Sequence, residues 1–247
     1  MERKSFRILS NRPLTGDIRE MRLVGDASAM TAPGQFVDVA IPGKYLRRPI
    51  SVCDYTADTI TLVYRIVGAG TAYMAGMKEG ETLELLVGLG NGFDPSKAEG
   101  KALLAGGGVG LAPLYNLAKV LRSEGREVVV AACFNTASDV FYKSEFEALG
   151  VDFRVVTVDG SEGTKGFVTD LLASTEMPEG VGCWYTCGPK PMMKALSEAA
   201  STPGQISMEE RMGCGFGICM GCTIQTAKGP KRVCKDGPVF SKEDVIW

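Results

Sequence analysis

The chain contains no histidine among its 247 residues. That absence removes the Ser-His-Asp and Cys-His nucleophile pairs, together with His-ligated zinc, haem and Rieske centres. No charge of one sign dominates, since 27 Lys and Arg stand against 29 Asp and Glu. The balance leaves no basic footprint for nucleic acid. Long apolar runs are missing too. The densest, Val128–Phe134, has the length of a strand and falls far short of the ~18 residues of a membrane span. Residues 1–10 lack the apolar centre of a signal peptide. A cytoplasmic protein without a membrane anchor is therefore expected. In that compartment its eight cysteines read as core, redox or metal residues rather than as disulfides.

What the chain has in excess is glycine, 31 residues where an average chain carries ~7%. Such a surplus points to tight turns and to close approach between backbone and ligand. The pattern divides the chain in three. Residues 1–97 read as an all-β unit. Strand-like runs fall at 5–10, 18–24, 36–41, 59–67 and 83–87, with a short helix at 71–77. Ile60, Leu62, Tyr64 and Ile66 alternate with Thr61, Val63, Arg65 and Val67 in the clearest of them. Arg47 to Ser51 falls between strands. Several short strands separated by turns predict a small antiparallel barrel. Residues 98–204 change rhythm. Strands at 102–105, 128–134, 151–158 and 183–187 alternate with helices at 111–123, 140–149, 167–173 and 191–200. That alternation predicts a doubly wound parallel sheet. Thr202-Pro203-Gly204 reads as a linker. Residues 205–247 form a third, small piece. The fold class expected is thus an α+β multidomain protein.

The tail holds the strongest motif. Cys214, Cys219, Cys222 and Cys234 are spaced C-x4-C-x2-C followed by a fourth cysteine after eleven residues. This is the plant-type [2Fe–2S] spacing. Two bridged irons need four thiolates, and Gly213, Gly215, Gly217 and Gly221 let backbone N–H groups turn towards the sulfurs. A four-cysteine zinc site is the alternative, although paired C-x2-C knuckles are usual there and only Cys219 and Cys222 have that spacing. A [4Fe–4S] cluster fits the loop less well.

Gly108-Val109-Gly110-Leu111-Ala112-Pro113 stands between a strand and a helix. Gly108 and Gly110 there suit a pyrophosphate at a helix N-terminus, or simply a tight turn. Cys187, Gly188 and Pro189 end a later strand of the same sheet, where ligands of such sheets gather. The turn is placed to meet a nicotinamide, unless Cys187 is only a buried strand residue. After the second strand no basic side chain precedes Lys143, which favours NAD over NADP. Asp139 is a candidate ribose partner. Arg47 and Arg48, taken alone, read equally as a surface pair.

An all-β unit, a dinucleotide unit and an iron–sulfur tail, in that order, resemble the ferredoxin-reductase superfamily. Within it the chain resembles the electron-transfer subunits of NAD-dependent dihydroorotate dehydrogenases. The matching stretches include Pro33-Gly34-Gln35-Phe36-Val37, Arg48-Pro49-Ile50-Ser51, Gly70-Thr71 and Gly88-Leu89-Gly90-Asn91-Gly92-Phe93. Glu209-Glu210-Arg211-Met212-Gly213-Cys214 and Cys234-Lys235-Asp236-Gly237-Pro238-Val239-Phe240 extend them to the tail. The interval from Cys222 to Cys234 is short for the family.

The resemblance implies FAD in the β unit. Arg48 of the Arg48, Pro49, Ile50 and Ser51 stretch would pair with its diphosphate, and Ser51 would lie beside the isoalloxazine. Tyr64, Arg65, Ile66 and Val67 would line the flavin, while Gly70 and Thr71 would offer backbone N–H groups to the phosphates. NAD would be the co-substrate. The resemblance further implies an FMN-containing dihydroorotate dehydrogenase partner, in a heterotetramer of two of each chain. Electrons would run from FMN through [2Fe–2S] and FAD to NAD+ during pyrimidine biosynthesis. Hydride and single-electron carriers need a flavin between them. No catalytic acid or base is expected on this chain. The competing readings are an NAD(P)H-linked reductase subunit of a ferredoxin-dependent transhydrogenase or hydrogenase, and a zinc-stabilised interaction module.

Overall fold

Alternating side chains shape the first ninety residues into strands with one buried face. In the computed structural model, which describes residues 1–97, 99–174 and 179–247, these are β1 (Glu2–Pro13), β2 (Ile18–Val24), β3 (Phe36–Val39), β4 (Arg48–Tyr55) and β5 (Thr59–Arg65). The helix α1 (Ala69–Gly76) and the strand β6 (Thr82–Leu89) follow. The six strands close into a barrel in the order β1-β2-β5-β4-β3-β6, antiparallel throughout. Closure leaves no unpaired sheet edge. Phe6, Leu23, Val37, Val39, Leu62, Tyr64 and Leu85 fill the interior.

One correction concerns β4. The arginine stretch expected between strands is itself the start of a strand, with Val37 opposite Ile50 and Phe36 opposite Ser51. Pro49 hides it, because proline cannot donate to a ladder. Its partner is Asp38, and Arg47 Nη1 donates to the Asp38 carbonyl at 3.3 Å.

The second unit is built from β7 (Lys101–Gly107), α2 (Pro113–Ser123), β8 (Val128–Phe134), α3 (Lys143–Glu147), β9 (Asp152–Thr157) and β10 (Thr164–Lys165). Next come α4 (Val168–Ala173), β11 (Val181–Cys187), α5 (Lys190–Ala199) and β12 (Gly204–Ser207). The tail adds a hairpin of β13 (Thr223–Thr226) and β14 (Gly229–Arg232), then β15 (Val239–Ser241). The main sheet runs β10-β9-β8-β7-β11-β12-β15. From β7 the chain winds outward through β8 and β9, then returns to the other side of β7 as β11. The strand order therefore reverses between β7 and β11, which run parallel.

Three boundaries differ from the expected ones. The helix expected at 140–149 is only Lys143–Glu147, because Tyr142 sits in the left-handed region at φ 63°. The residues read as a linker lead straight into β12, which lies parallel to β11 with Trp184 opposite Gly204. Residues 93–97 belong by contact to the second unit. Phe93 stacks edge-on against Tyr185, and the Gln205 amide bonds both the N–H and the carbonyl of Asp94. Ala98, where the second domain is expected to begin, lies outside the described residues. By contact, residues 208–239 group with the barrel and 240–247 with the sheet. Among the described residues no helix is long and apolar enough to cross a membrane.

Gly204 is a packing requirement. A Cβ there would stand 2.0 Å from the ring of Trp184, which is fully buried and held by an indole N–H bond to the Thr202 carbonyl. Gly204→Ala is expected to destabilise the second unit by about 1–3 kcal/mol through overpacking. Thermal unfolding followed by tryptophan fluorescence should show a lowered midpoint; an unchanged midpoint refutes the assignment.

Candidate functional site

The cysteine loop is shaped by its backbone. Gly215, Gly217 and Met220 all adopt positive φ, at 76°, 90° and 62°, so that successive N–H groups curl inward. Those of Ile218 and Cys219 donate to Cys214 Sγ at 3.3 and 3.5 Å. Gly221 N–H donates to Cys219 Sγ at 3.4 Å, and Cys234 N–H to Cys222 Sγ at 3.4 Å. Cys222 and Cys234 are buried, whereas Cys219 is exposed and Cys214 half-buried.

The thiols stand in pairs. Cys214 interacts with Cys219, and Cys234 with Cys222. Among the described residues no three ligating side chains converge as they would on one ion. Two thiol pairs match the need of a two-iron cluster, whose irons each take two cysteines. Burial opposes ionisation of Cys214, but the N–H groups of Cys219, Phe216 and Ile218 outweigh it and bring the thiol down to about 6. Cys234 is pushed up to about 12 by burial and by the adjacent Cys222. Metal binding there would displace a proton from the thiol. The donors, the N–H groups and the pairing fit a [2Fe–2S] cluster held by Cys214, Cys219, Cys222 and Cys234.

The loop is anchored within the first unit. Asn91 Nδ2 donates to the carbonyls of Lys235 and Asp236 at 3.1 and 3.2 Å, and Asn91 N–H donates to the Gly237 carbonyl at 2.7 Å. Gln35 Nε2 holds the neighbouring Gly90 carbonyl at 2.9 Å. Arg232 donates to the Gly217 carbonyl at 2.7 Å and pairs with Asp236. The hairpin β13–β14 spans the short interval between Cys222 and Cys234.

On the barrel, Arg48 and Gly70 meet. A Cβ on Gly70 would stand 2.5 Å from Arg48 Nε, so the guanidinium lies across the start of α1. Arg48 Nη1 also donates to the carbonyls of Leu46 and Arg47. Thr71 is occupied locally, since its hydroxyl accepts from the N–H groups of Val67 and Gly68. Pro49, Ile50 and Ser51 are half-buried. Of the four residues expected to line the flavin, Tyr64 turns inward instead. It is 2% exposed, its hydroxyl donates to Asn11 Oδ1, and burial pushes its pKa up to about 12. Arg65 pairs with Asp17, Ile66 is half-buried and Val67 is exposed.

In the second unit the two turns expected to bind NAD touch. They follow β7 and β11, the strands flanking the order reversal, where ligands of such sheets bind. A Cβ on Gly110 would stand 2.5 Å from the Cys187 carbonyl oxygen, and one on Gly107 would stand 2.6 Å from Pro189. Gly110 is thus required by the neighbouring turn as well as by any ligand. Gly108–Leu111 forms a 3-10 turn leading into α2, with Gly108 at φ 52°. Cys187 and Gly188 are half-buried and Pro189 is exposed. Asp139 closes a 3-10 turn after β8 and is half-buried.

Sequence reasoning overlooked three residues. Gln35 and Asn91 lie inside stretches that carried the resemblance but had no chemistry assigned. Asp38 is an acid between Val37 and Val39, buried to 2%, and that flanking was its one signal.

Residues 104–198 match the family Oxidoreductase NAD-binding domain. Residues 209–246 match the Iron-sulfur cluster binding domain of dihydroorotate dehydrogenase B. Among solved structures, NADH-dependent reduced ferredoxin-NADP oxidoreductase aligns with a TM-score of 0.89 at 30% identity, over 98% of this chain and 90% of that one. The ferredoxin reductase of carbazole 1,9a-dioxygenase aligns at 0.68 and 20% identity, over 80% and 64% of the two chains, and shares the fold. Barrel, reversed parallel sheet and cysteine tail define an oxidoreductase of the ferredoxin-reductase class. The electron transfer subunit of dihydroorotate dehydrogenase B (NAD(+)) from Geobacillus sp. (strain WCH70) is 42% identical over 258 aligned residues, covering 100% of this chain and 99% of that protein. Its counterpart from Fusobacterium nucleatum is 41% identical over 247 residues, covering 95% of each. The chain belongs to the family of electron transfer subunits of NAD(+)-dependent dihydroorotate dehydrogenase B.

Gly70→Ala tests the barrel half of the site. The new methyl displaces the Arg48 guanidinium, and flavin retained per chain after gel filtration is expected to fall several-fold. Full retention would show that Arg48 does not hold the ligand.

Proposed function

We propose that the chain passes electrons from dihydroorotate, oxidised on a partner subunit, to NAD+, with a [2Fe–2S] cluster and FAD as its carriers. The observation that carries the reading is the pairing of four cysteine thiols in one N–H-lined loop. The flavin supplies the conversion between a hydride and single electrons, and the cluster supplies one-electron relay. In this reading residues 1–97 serve the flavin, 98–204 the NAD and 205–247 the cluster.

The residues divide the remaining work. Cys214, Cys219, Cys222 and Cys234 hold the cluster, and the N–H groups of Ile218, Cys219, Gly221 and Cys234 steady the negative charge on sulfur. Arg48 offers its guanidinium fork to the FAD diphosphate, beside the free N–H groups at the start of α1. Ser51 hydrogen-bonds the isoalloxazine edge. Arg65, Ile66 and Val67 form its border, with Tyr64 supporting that border from the barrel interior. Gly108 and Gly110 bring backbone to the NAD pyrophosphate, Cys187, Gly188 and Pro189 face the nicotinamide, and Asp139 accepts from a ribose hydroxyl. The partner carries FMN and the acid–base chemistry, in a heterotetramer of two of each chain. The absence of histidine is consistent with that division.

Identity near 42% across the whole chain and the matched tail favour this reading over a ferredoxin-linked reductase subunit. Anaerobic purification should yield about one FAD, two irons and two acid-labile sulfides per chain. Zinc in their place would overturn the cluster. Cys219→Ser should abolish the cluster absorption and dihydroorotate-to-NAD+ coupling, while NADH oxidation by artificial acceptors continues. Coupling that survives the loss of the cluster would show the wiring to be wrong.

A further inference from the structure

Buried carboxylates without a hydrogen bond are costly, and proteins rarely keep them without a use. Asp38 is one. It is 2% exposed, and its Oδ1 has no hydrogen-bond partner. The barrel does not need it for packing, because Val37 and Val39 on either side supply the interior. Three neighbours define its setting, Arg47, Arg48 and the cysteine turn. Arg47 and Arg48 supply opposing charge, and Arg47 donates to the Asp38 carbonyl. Close to the carboxylate lies the turn that begins at the first cysteine. There Gly215, at φ 76°, comes so close that a Cβ would lie 2.6 Å from Asp38 Oδ2. Cys214 is close enough for its charge to act on Asp38.

We propose that Asp38 is a positioning residue for electron relay: its negative charge, seated beneath the Cys214–Gly215 turn, holds the cluster's reduction potential down and so favours release of electrons from it. Reduction adds negative charge at the sulfurs. A carboxylate screened by little water opposes that charge more strongly than one at the surface. Arg47 and Arg48 moderate the effect. The inference rests on the reading of the four cysteines as [2Fe–2S] ligands.

The test is a dye-equilibrated redox titration of the holoprotein at pH 8, read from the cluster's visible absorption and electron paramagnetic resonance. Asp38→Asn keeps the shape and removes the charge. At a fixed applied potential the reduced-to-oxidised ratio of its cluster is expected to rise about tenfold, the scale of one charge acting through protein. Arg47→Gln is expected to lower the same ratio. An Asp38→Asn cluster with the wild-type ratio, or a lower one, overturns the proposal even if its thermal stability changes. If Asp38→Asn fails to take up a cluster, Arg47→Gln decides, and an unchanged or raised ratio overturns it. A wild-type protein without a cluster would instead overturn the functional reading beneath it.

Discussion

A set of backbone hydrogen bonds holds the cysteine segment on the barrel, and the first half of the molecule depends on it. Asn91, just past β6, donates from its backbone and side chain to three successive carbonyls, those of Lys235, Asp236 and Gly237. These follow directly on Cys234. Gln35 fixes the strand end beside Asn91 through the Gly90 carbonyl. The space at Gly90 is so confined that a Cβ would meet Pro238 at 2.6 Å and Phe36 at 2.9 Å. Three stretches far apart in sequence therefore form one joint, and each is short because only its backbone and one amide take part. The cysteine segment so held brings Gly215 against Asp38 on β3.

The second unit solves a related problem with glycine. Its sheet reverses order between β7 and β11, so two turns emerge side by side. They can lie in contact only where side chains are missing, at Gly107, Gly110 and Gly188. The sheet end beside the order reversal is thus made of two turns that constrain one another.

Much of this was legible from residues alone. The alternation from Ile60 to Val67 marked β5, the change of rhythm after residue 98 marked the parallel sheet, and the cysteine spacing marked the cluster loop. Other features depend on partners distant in the chain. Pro49 disguised β4, because its missing N–H is made good by the Arg47 side chain. Gly204 suggested a linker, although its lack of a side chain is what lets β12 lie against Trp184. Tyr64 fitted the alternation well, and its parity places it inside the barrel. Asp38 gave little warning, since its burial is produced by a segment about 175 residues further along.

The hairpin β13–β14 has a thermodynamic consequence. Eleven residues separate the third cysteine from the fourth, and the hairpin pairs eight of them in register. A flexible loop of that length would have to surrender its chain entropy each time iron and sulfide were taken up. Here the ladder of the hairpin orders eight of the eleven residues through its own hydrogen bonds. A paired hairpin shares that cost between its own ladder and the cluster, in contrast to small zinc domains, where the ordering falls on the metal alone.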